Sequence, residues 1–210
     1  YSIKAWDRKS FENDPYGRNL WGTPPQGCAD YAFQQHIKKS LNDKNGRSIS
    51  LWPHGVLFRD SEADMRKKMI EEDLVECVIG LGPNMFYNSP MEACLMITRN
   101  NKPTNKKGKI LFINAVNEVK QEKTMGYLED FHIEKIFNAY QKFESIKDFS
   151  ALVNAEDVLQ NNANMSISLY VRQNKLEDEV ILPFVEVYSN WSEESEKLKN
   201  SMNDLFQILN

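Results

Sequence analysis

Histidine is the residue type in this sequence best suited to proton transfer, because its charge changes near neutral pH. The chain has three histidines. His54 directly follows a predicted strand over 48–52, at the edge where α/β sheets place their ligands, although an ordinary turn residue is the simpler interpretation. His36 is expected on the apolar face of a helix, as a core residue with its polar atoms satisfied, and His132 on an exposed helix surface.

The thiols belong to Cys28, Cys77 and Cys94. Three cysteines are too few for a disulfide framework, and their positions lack the spacing of metal ligands. Cys77 and Cys94 lie within apolar runs, where buried free thiols are expected. This cysteine content fits a cytoplasmic protein in a reducing cytosol.

Phosphate-binding and nucleophile motifs are missing from the sequence, which has neither a glycine-rich phosphate loop nor a nucleophile elbow. The run 99–109 is basic and contains no acid. A solvated loop explains this run better than a phosphate contact does. The net charge of −4 provides no overall attraction for nucleic acid. The side chains alone therefore indicate an α/β domain with a crevice and no visible reaction.

The elements that must position these side chains follow from the hydrophobic pattern. With 210 residues and 41% hydrophobic content, the chain is long enough for one domain with its own core. The pattern predicts helices over 30–45 and 61–73, and they alternate with strands over 48–52, 75–80 and 91–98. This order is typical of a parallel α/β sheet. The loop between the last two strands is too short for a helical crossover, so these two strands should be antiparallel neighbours.

The remaining segments are less regular. Residues 1–29 are polar and rich in turn residues, so they predict a long loop, of which 7–29 should be the least ordered part. No apolar run approaches the roughly 20 residues that a membrane helix needs. The second half of the chain predicts a strand over 110–115, a helix around 133–140, a short helix from Asn154 to Gln160 and a short strand over 166–171.

The tail carries a different pattern. Ser192 is a candidate N-cap, followed by glutamates that favour the first turns of a helix. Leu198, Met202, Leu205 and Leu209 follow at spacings of four, three and four residues. Such spacing is typical of a coiled-coil seam. The seam could face a partner helix, or it could pack on its own domain.

Five sequence strings, taken in order, resemble the methylation subunit of type I restriction-modification systems. They cover the chain from its start to about Val171. The strings are DYAFQQHI at 30–37, LWPHGVLFR at 51–59, IGLGPNMFYNSPMEAC at 79–94, GKILFINA at 108–115 and NMSISLYV at 164–171. Each string is weak alone, and the set is specific.

The resemblance implies transfer of a methyl group from S-adenosylmethionine to N6 of adenine in DNA. The family's catalytic motif is Asn-Pro-Pro followed by Tyr or Phe, and Tyr1 would be that aromatic residue. The motif's first three residues and the donor-binding loop would then lie upstream, so the sequence resembles a C-terminal part of the subunit. Phe86 would be the second aromatic ring beside the flipped adenine, and Phe33 would contact the adenine of the cofactor. The alternatives are a frayed terminus for Tyr1, a core position for Phe33 and a loop anchor for Phe86.

The implied fold is the C-terminal part of a Rossmann-like methyltransferase sheet, with an α+β extension and a C-terminal helix. The expected divisions are 1–98 for the methyltransferase part, 99–171 for the extension, and 172–210 for a linker and the amphipathic helix. The implied partners are DNA and the specificity and restriction subunits of a type I system, with no membrane. Two alternatives remain open: a non-catalytic α/β scaffold in a complex, and a methyltransferase that acts on RNA or on protein glutamine.

Overall fold

The computed structural model describes residues 3–86, 90–123, 125–172 and 184–209. Residues 1–173 and residues 174–210 form two compact units. The first unit contains a mixed sheet with helices on both faces, and the second contains one long helix. Among the helices described, none combines the length and the apolar character that crossing a bilayer demands.

The central sheet has five strands in the order β1-β3-β2-β4-β7. β3 is antiparallel to both of its neighbours, and β2 is parallel to β4. β1, β2 and β4 therefore run in one direction. The predicted antiparallel pairing of β2 and β3 is confirmed. β1 and β2 were expected to be parallel neighbours, but β3 lies between them. The strands are β1 (Arg47–Pro53), β2 (Val75–Leu81), β3 (Ala93–Arg99), β4 (Lys109–Ala115) and β7 (Ser150–Asn154).

Two apolar cores lie on opposite faces of this sheet. Every residue of β2 is buried, because helices cover both faces of this strand. Val78 faces the core that receives the helices α2 (Asp30–Ser40) and α3 (Ala63–Glu71). Ile79 faces the core that receives α4 (Asp130–Lys142). Because successive side chains of β2 point to opposite faces of the sheet, this strand contributes residues to both cores.

The N-terminal segment is attached to the first core by Trp21. It contains one short helix, α1 (Arg8–Glu12), whose first turn is capped by Asp7. Trp21 is only 2% exposed; its backbone N–H donates to Gln35 Oε1 at 2.6 Å and its indole N–H to Glu72 Oε1 at 2.7 Å. The segment 7–29 therefore has core partners within this chain, and its expected place as the least ordered part stays a prediction.

α2 buries a different face from the one that its sequence predicts. His36 is exposed rather than part of the core. The buried residues include Tyr31, whose hydroxyl donates to Val56 O at 2.9 Å, together with Gln34 and Gln35. The helix also ends at Ser40, earlier than predicted, and Gly46 closes the following turn by donating its N–H to Asn42 O at 2.8 Å.

The second half of the chain differs from prediction in two places. The segment predicted as a strand over 166–171 instead forms the helical turn α6 (Ile167–Tyr170). Tyr170 stacks on Phe112 of β4, with ring centroids 4.4 Å apart, and this packing fixes the turn. His132 is buried, not exposed, because it completes the capping box of α4 with Glu129. The other elements are β5 (Lys120–Glu122), β6 (Met125–Tyr127) and α5 (Ala155–Gln160).

The second unit consists of α7 (Phe184–Leu209), whose side chains are described over 186–203. The helix begins eight residues before Ser192, the predicted N-cap. Consequently the heptad-like spacing continues backward from Leu198 to Ser195, Trp191 and Tyr188. Tyr188, Trp191, Leu198 and Met202 are all exposed.

Candidate functional site

One edge of the sheet collects the loops that can hold a ligand. The carboxyl ends of β1, β2 and β4 meet there, and β3 begins there because it runs antiparallel to its neighbours. Open α/β sheets bind their ligands at this edge. The residues gathered at it include His54 after β1, Phe86 after β2, Glu92 before β3 and Val116 after β4.

Phe86 is partly buried and packs against the second core, next to Met85. The hairpin of β5 and β6 holds its loop, since the N–H of Gly126 donates to Asn84 O at 2.8 Å. A Cβ atom on Gly126 would lie 2.9 Å from Pro83 O, so the contact requires glycine. Phe86 is therefore held at this edge of the sheet. Its position is compatible both with stacking on a flipped base and with a purely structural role as a loop anchor. Residues 87–89, which follow it, lie outside the described residues.

Phe33 lies on α2 with half of its surface exposed. It lines an open apolar groove with Trp6, Phe11 and Ala32. Trp6 and Phe11 pack edge to face, with ring centroids 5.9 Å apart. Phe33 is thus an exposed aromatic wall of this groove and not a core residue. Tyr1, the third predicted site residue, lies outside the described residues.

His54 belongs to the turn that follows β1. Its Nε2 lies 2.9 Å from Ala93 O, and its Nδ1 lies 3.6 Å from Glu92 Oε2. The imidazole therefore connects the end of β1 to the start of β3. Sequence reasoning identified the position of His54 at the ligand edge, but it could not identify Glu92 as its neighbour, because the two residues are 38 positions apart in the chain.

A cluster of Cys28, Asp30 and Glu62 resembles a metal site only in its residue types. Their potential ligand atoms lie within 4.8 Å of one another. Arg59 already occupies the cluster, with Nη2 at 2.6 Å from Asp30 Oδ2 and Nε at 2.8 Å from Glu62 Oε2. Burial and the neighbouring Asp30 raise the pKa of the Cys28 thiol to about 12, so the thiol is protonated at neutral pH. The cluster is best explained as a buried ion pair.

The basic run 99–109 folds back onto the protein. The side chain of Lys102 is fully buried, and its Nζ lies 2.7 Å from Asp73 Oδ1 and 2.7 Å from Lys109 O. Lys106 Nζ lies 3.1 Å from Glu76 Oε1. These two lysines are therefore internal partners of carboxylates, neither solvated as predicted nor free to hold a phosphate.

Comparisons with known proteins agree with this architecture. A model of the N-6 DNA methylase family matches residues 1–197. The methylase subunit of the type I restriction enzyme MjaVIII of Methanocaldococcus jannaschii is 35% identical over 194 residues, which are 90% of this chain and 32% of that protein. The methylase subunit of the HindI enzyme of Haemophilus influenzae is 30% identical over 206 residues, which are 90% of this chain and 44% of that protein.

A solved structure shows the same arrangement. The methyltransferase subunit of a type I restriction-modification system from Streptococcus thermophilus superposes with a TM-score of 0.74 at 36% identity, over 81% of this chain and 36% of that chain. The chain thus spans 32–44% of the length of these three relatives. Since the family model covers nearly the whole sequence, the chain belongs to the N-6 DNA methylase family.

Proposed function

We propose that this chain is the C-terminal part of the methylation subunit of a type I restriction-modification system. In the complete enzyme it would help to transfer a methyl group from S-adenosylmethionine to N6 of an adenine flipped out of DNA. The observation that carries the proposal is the match of the N-6 DNA methylase family model to residues 1–197, together with relatives that are themselves methylase subunits of type I enzymes.

The chemistry explains why aromatic residues are proposed for this site. The lone pair of adenine N6 is delocalised into the ring, so the amino group is a poor nucleophile until carbonyl oxygens accept its protons. The Asn-Pro-Pro motif that the resemblance places before Tyr1 would supply those acceptors. The base must also leave the stack, which costs a few kcal/mol. Stacking on Tyr1 and Phe86 would return roughly 1–3 kcal/mol per aromatic contact.

Phe33 is proposed to lie on the side of the site that binds the methyl donor. S-adenosylmethionine supplies the electrophilic methyl group when it is bound. Phe33 would hold one face of its adenine, and support for this role comes from its exposed ring in an apolar groove. Positioning of the two reactants is the main contribution that such residues make to the rate.

The proposed partners are DNA and the specificity and restriction subunits of a type I system, in the cytoplasm. The specificity subunit would read the DNA sequence, which is compatible with a chain whose net charge is −4. The exposed seam of α7 is the proposed contact with that subunit, because a stripe with heptad spacing buries its apolar side chains against another helix.

The alternative is a non-catalytic scaffold, and calorimetry separates the two functions. We expect residues 1–210 to show no tight binding of S-adenosylmethionine, and a protein extended upstream of Tyr1 to bind it. Phe33→Ala in the extended protein should weaken binding about tenfold or more, because a stacking contact is lost. The matched control is Phe131→Ala, an exposed phenylalanine on α4. If the extended protein fails to bind the donor, the scaffold is the better account.

A further inference from the structure

The hairpin formed by β5 and β6 lies against the loop that carries Phe86. The hairpin belongs to the segment that follows β4, and the loop follows β2. The parallel pairing of β2 with β4 brings the carboxyl ends of these strands side by side, and with them the two segments. Gln121 of the hairpin and Pro83 of the loop are in contact although 38 positions separate them in the chain.

The start of the loop packs closely on the residues that lead into the hairpin. A Cβ atom on Gly82 would lie 2.7 Å from Val116 O and 2.8 Å from Val119 Cγ1. A Cβ atom on Gly126 of the hairpin would lie 2.8 Å from Val119 Cγ2. Val119 therefore lies between the loop and the hairpin, and a side chain at either glycine would push them apart.

Two hydrogen bonds join the hairpin to successive carbonyl groups of the loop. Gln121 Nε2 donates to Pro83 O at 3.2 Å, and the N–H of Gly126 donates to Asn84 O at 2.8 Å. Gln121 and Gly126 lie opposite each other in the hairpin, so the two donors keep a fixed spacing. Asn84 has a φ of 59°, which asparagine tolerates, and the chain therefore turns directly after the bonded carbonyls.

The hairpin is itself anchored to α4. Lys120 Nζ lies 2.8 Å from Glu129 Oε1, and Glu129 is the N-cap residue of α4. Across the hairpin, the hydroxyl of Tyr127 donates to Glu122 Oε1 at 2.8 Å. These exposed contacts add little free energy, but they orient the two strands. The hairpin can therefore act as a support for the loop.

We infer that Gln121 and Gly126 are positioning residues for methyl transfer, because they hold the loop so that Phe86 lies where a flipped adenine stacks. This inference rests on the proposed function, which gives Phe86 its stacking role. Neither residue touches the reactants; both act through the loop. A displaced ring loses part of its stacking contact, and a small displacement is enough to slow a reaction that depends on positioning. The segment 99–171, expected to be an extension, thus contributes to the reaction.

Gly126→Ala is the diagnostic variant, because its Cβ atom would lie 2.9 Å from Pro83 O. In the 210-residue chain, nuclear Overhauser contacts between the Val119 methyl groups and Gly82 should weaken. In the upstream-extended protein with its specificity subunit, we expect kcat for N6-methyladenine formation to fall about three- to tenfold. The KM for S-adenosylmethionine should not change, since the hairpin does not line the groove of Phe33. Gly27→Ala is the control, because a Cβ atom there meets no atom within 4 Å.

Gln121→Glu is a second variant that spares the fold, since Gln121 is exposed and the change keeps the shape of the side chain. It places a carboxylate oxygen against Pro83 O in place of a donor. We expect the same loss of Overhauser contacts and a fall in kcat of about two- to threefold, because one exposed hydrogen bond is lost. Gln141→Glu makes the same change on the exposed surface of α4 and should leave both measurements unchanged.

Combination with Phe86→Ala separates positioning from a general structural role. If Gly126 acts through Phe86, adding Gly126→Ala to Phe86→Ala should lower kcat by less than about twofold further. The inference is overturned if Gly126→Ala methylates DNA as fast as the active wild-type complex, or if the two variants multiply each other's effects. A wild-type complex that forms no N6-methyladenine would instead contradict the proposed function, and the positioning role with it.

Discussion

Glu76 is a buried carboxylate with three side-chain partners. It is fully buried on β2 and accepts a hydrogen bond from Tyr140, while Lys106 and Arg99 place cations beside it. Burial alone would raise the pKa of Glu76, but the hydrogen bonds from Tyr140 and Lys106 and the two positive charges lower it below its ordinary value. The residue thus joins β2, the basic run and α4.

Replacing Glu76 should destabilise the protein in a pH-dependent manner. Because the folded-state pKa is lowered, the carboxylate stabilises the fold above the unfolded-state pKa near 4.5, and this stability is lost as the pH falls through the folded-state value. We expect Glu76→Gln to reduce the free energy of unfolding by about 3 kcal/mol at pH 7, since buried cations lose their partner. Urea unfolding at pH 7, 5 and 3 should show this difference shrinking at the lowest pH.

Glu144→Gln provides the control, because Glu144 is an exposed residue whose nearest cation, Lys142, is 3.9 Å away. We expect that change to cost no more than about 0.5 kcal/mol at any pH. A Glu76→Gln effect that is equally small, or one that stays constant between pH 7 and pH 3, would contradict the role given to this network.

Single residues show where prediction from sequence reaches its limit. Gln35 was not predicted as a core residue, since glutamine is usually exposed. It is buried because its side chain accepts from the backbone N–H of Trp21 and donates to Gly22 O at 2.9 Å. Its hydrogen-bond partners lie 13 and 14 positions away, and no local pattern reveals them. The proposed roles of Tyr1, Phe33 and Phe86 came from the family resemblance and not from periodicity.

At the scale of elements, the long apolar segments were predictable and the short ones were not. β2 and β4 were predicted as strands because their runs are mostly apolar, and the structure buries all of β2 and most of β4. The segment 166–171 alternates like a strand but forms α6, since Ile167 enters the core and Tyr170 stacks on Phe112. The approach of His54 to Glu92 was not predictable either, because strand order, and not sequence spacing, brings the two residues together.

The N-terminal segment should depend on Trp21 for its attachment to α2 and α3. We expect Trp21→Ala to lower the free energy of unfolding by about 3–5 kcal/mol, because a large buried side chain leaves a cavity. Trp21→Phe should cost about 1 kcal/mol, mainly through the lost hydrogen bond to Glu72. Chemical denaturation measures both values, and limited proteolysis should show faster cleavage within 7–29 for the alanine variant.

Tyr16→Ala is the companion variant, since Tyr16 belongs to the same segment and is 72% exposed. It should leave stability nearly unchanged. If Trp21→Ala behaves like Tyr16→Ala, the segment is not anchored in the way that the contacts of Trp21 indicate.

At the scale of the whole molecule, α7 is the element expected to join a partner. We expect Leu198→Asp combined with Met202→Asp to weaken association with the specificity subunit at least about tenfold, because two charges would enter the apolar seam. Asn200→Asp combined with Asn203→Asp adds the same charge on another side of the helix and should leave association unchanged. Pull-down with purified specificity subunit measures both, and equal binding by the two double variants would argue against the seam.

One edge of the sheet is exposed and carries an apolar side chain. β1 lies at the edge of the sheet, and Ile49 on this strand is 61% exposed. An exposed edge strand with apolar side chains favours pairing with further chain. This sequence spans 32% of one relative and 44% of another, so those relatives contain further chain.

Nucleoside mass spectrometry of DNA measures the proposed methyl transfer, after incubation with S-adenosylmethionine, the upstream-extended protein and its specificity subunit. We predict that N6-methyladenine forms, and that Phe86→Ala lowers its rate of formation about tenfold or more while the complex still assembles, because the flipped base loses a stacking partner. The absence of N6-methyladenine from DNA treated with an assembled complex that binds the methyl donor would contradict the claim.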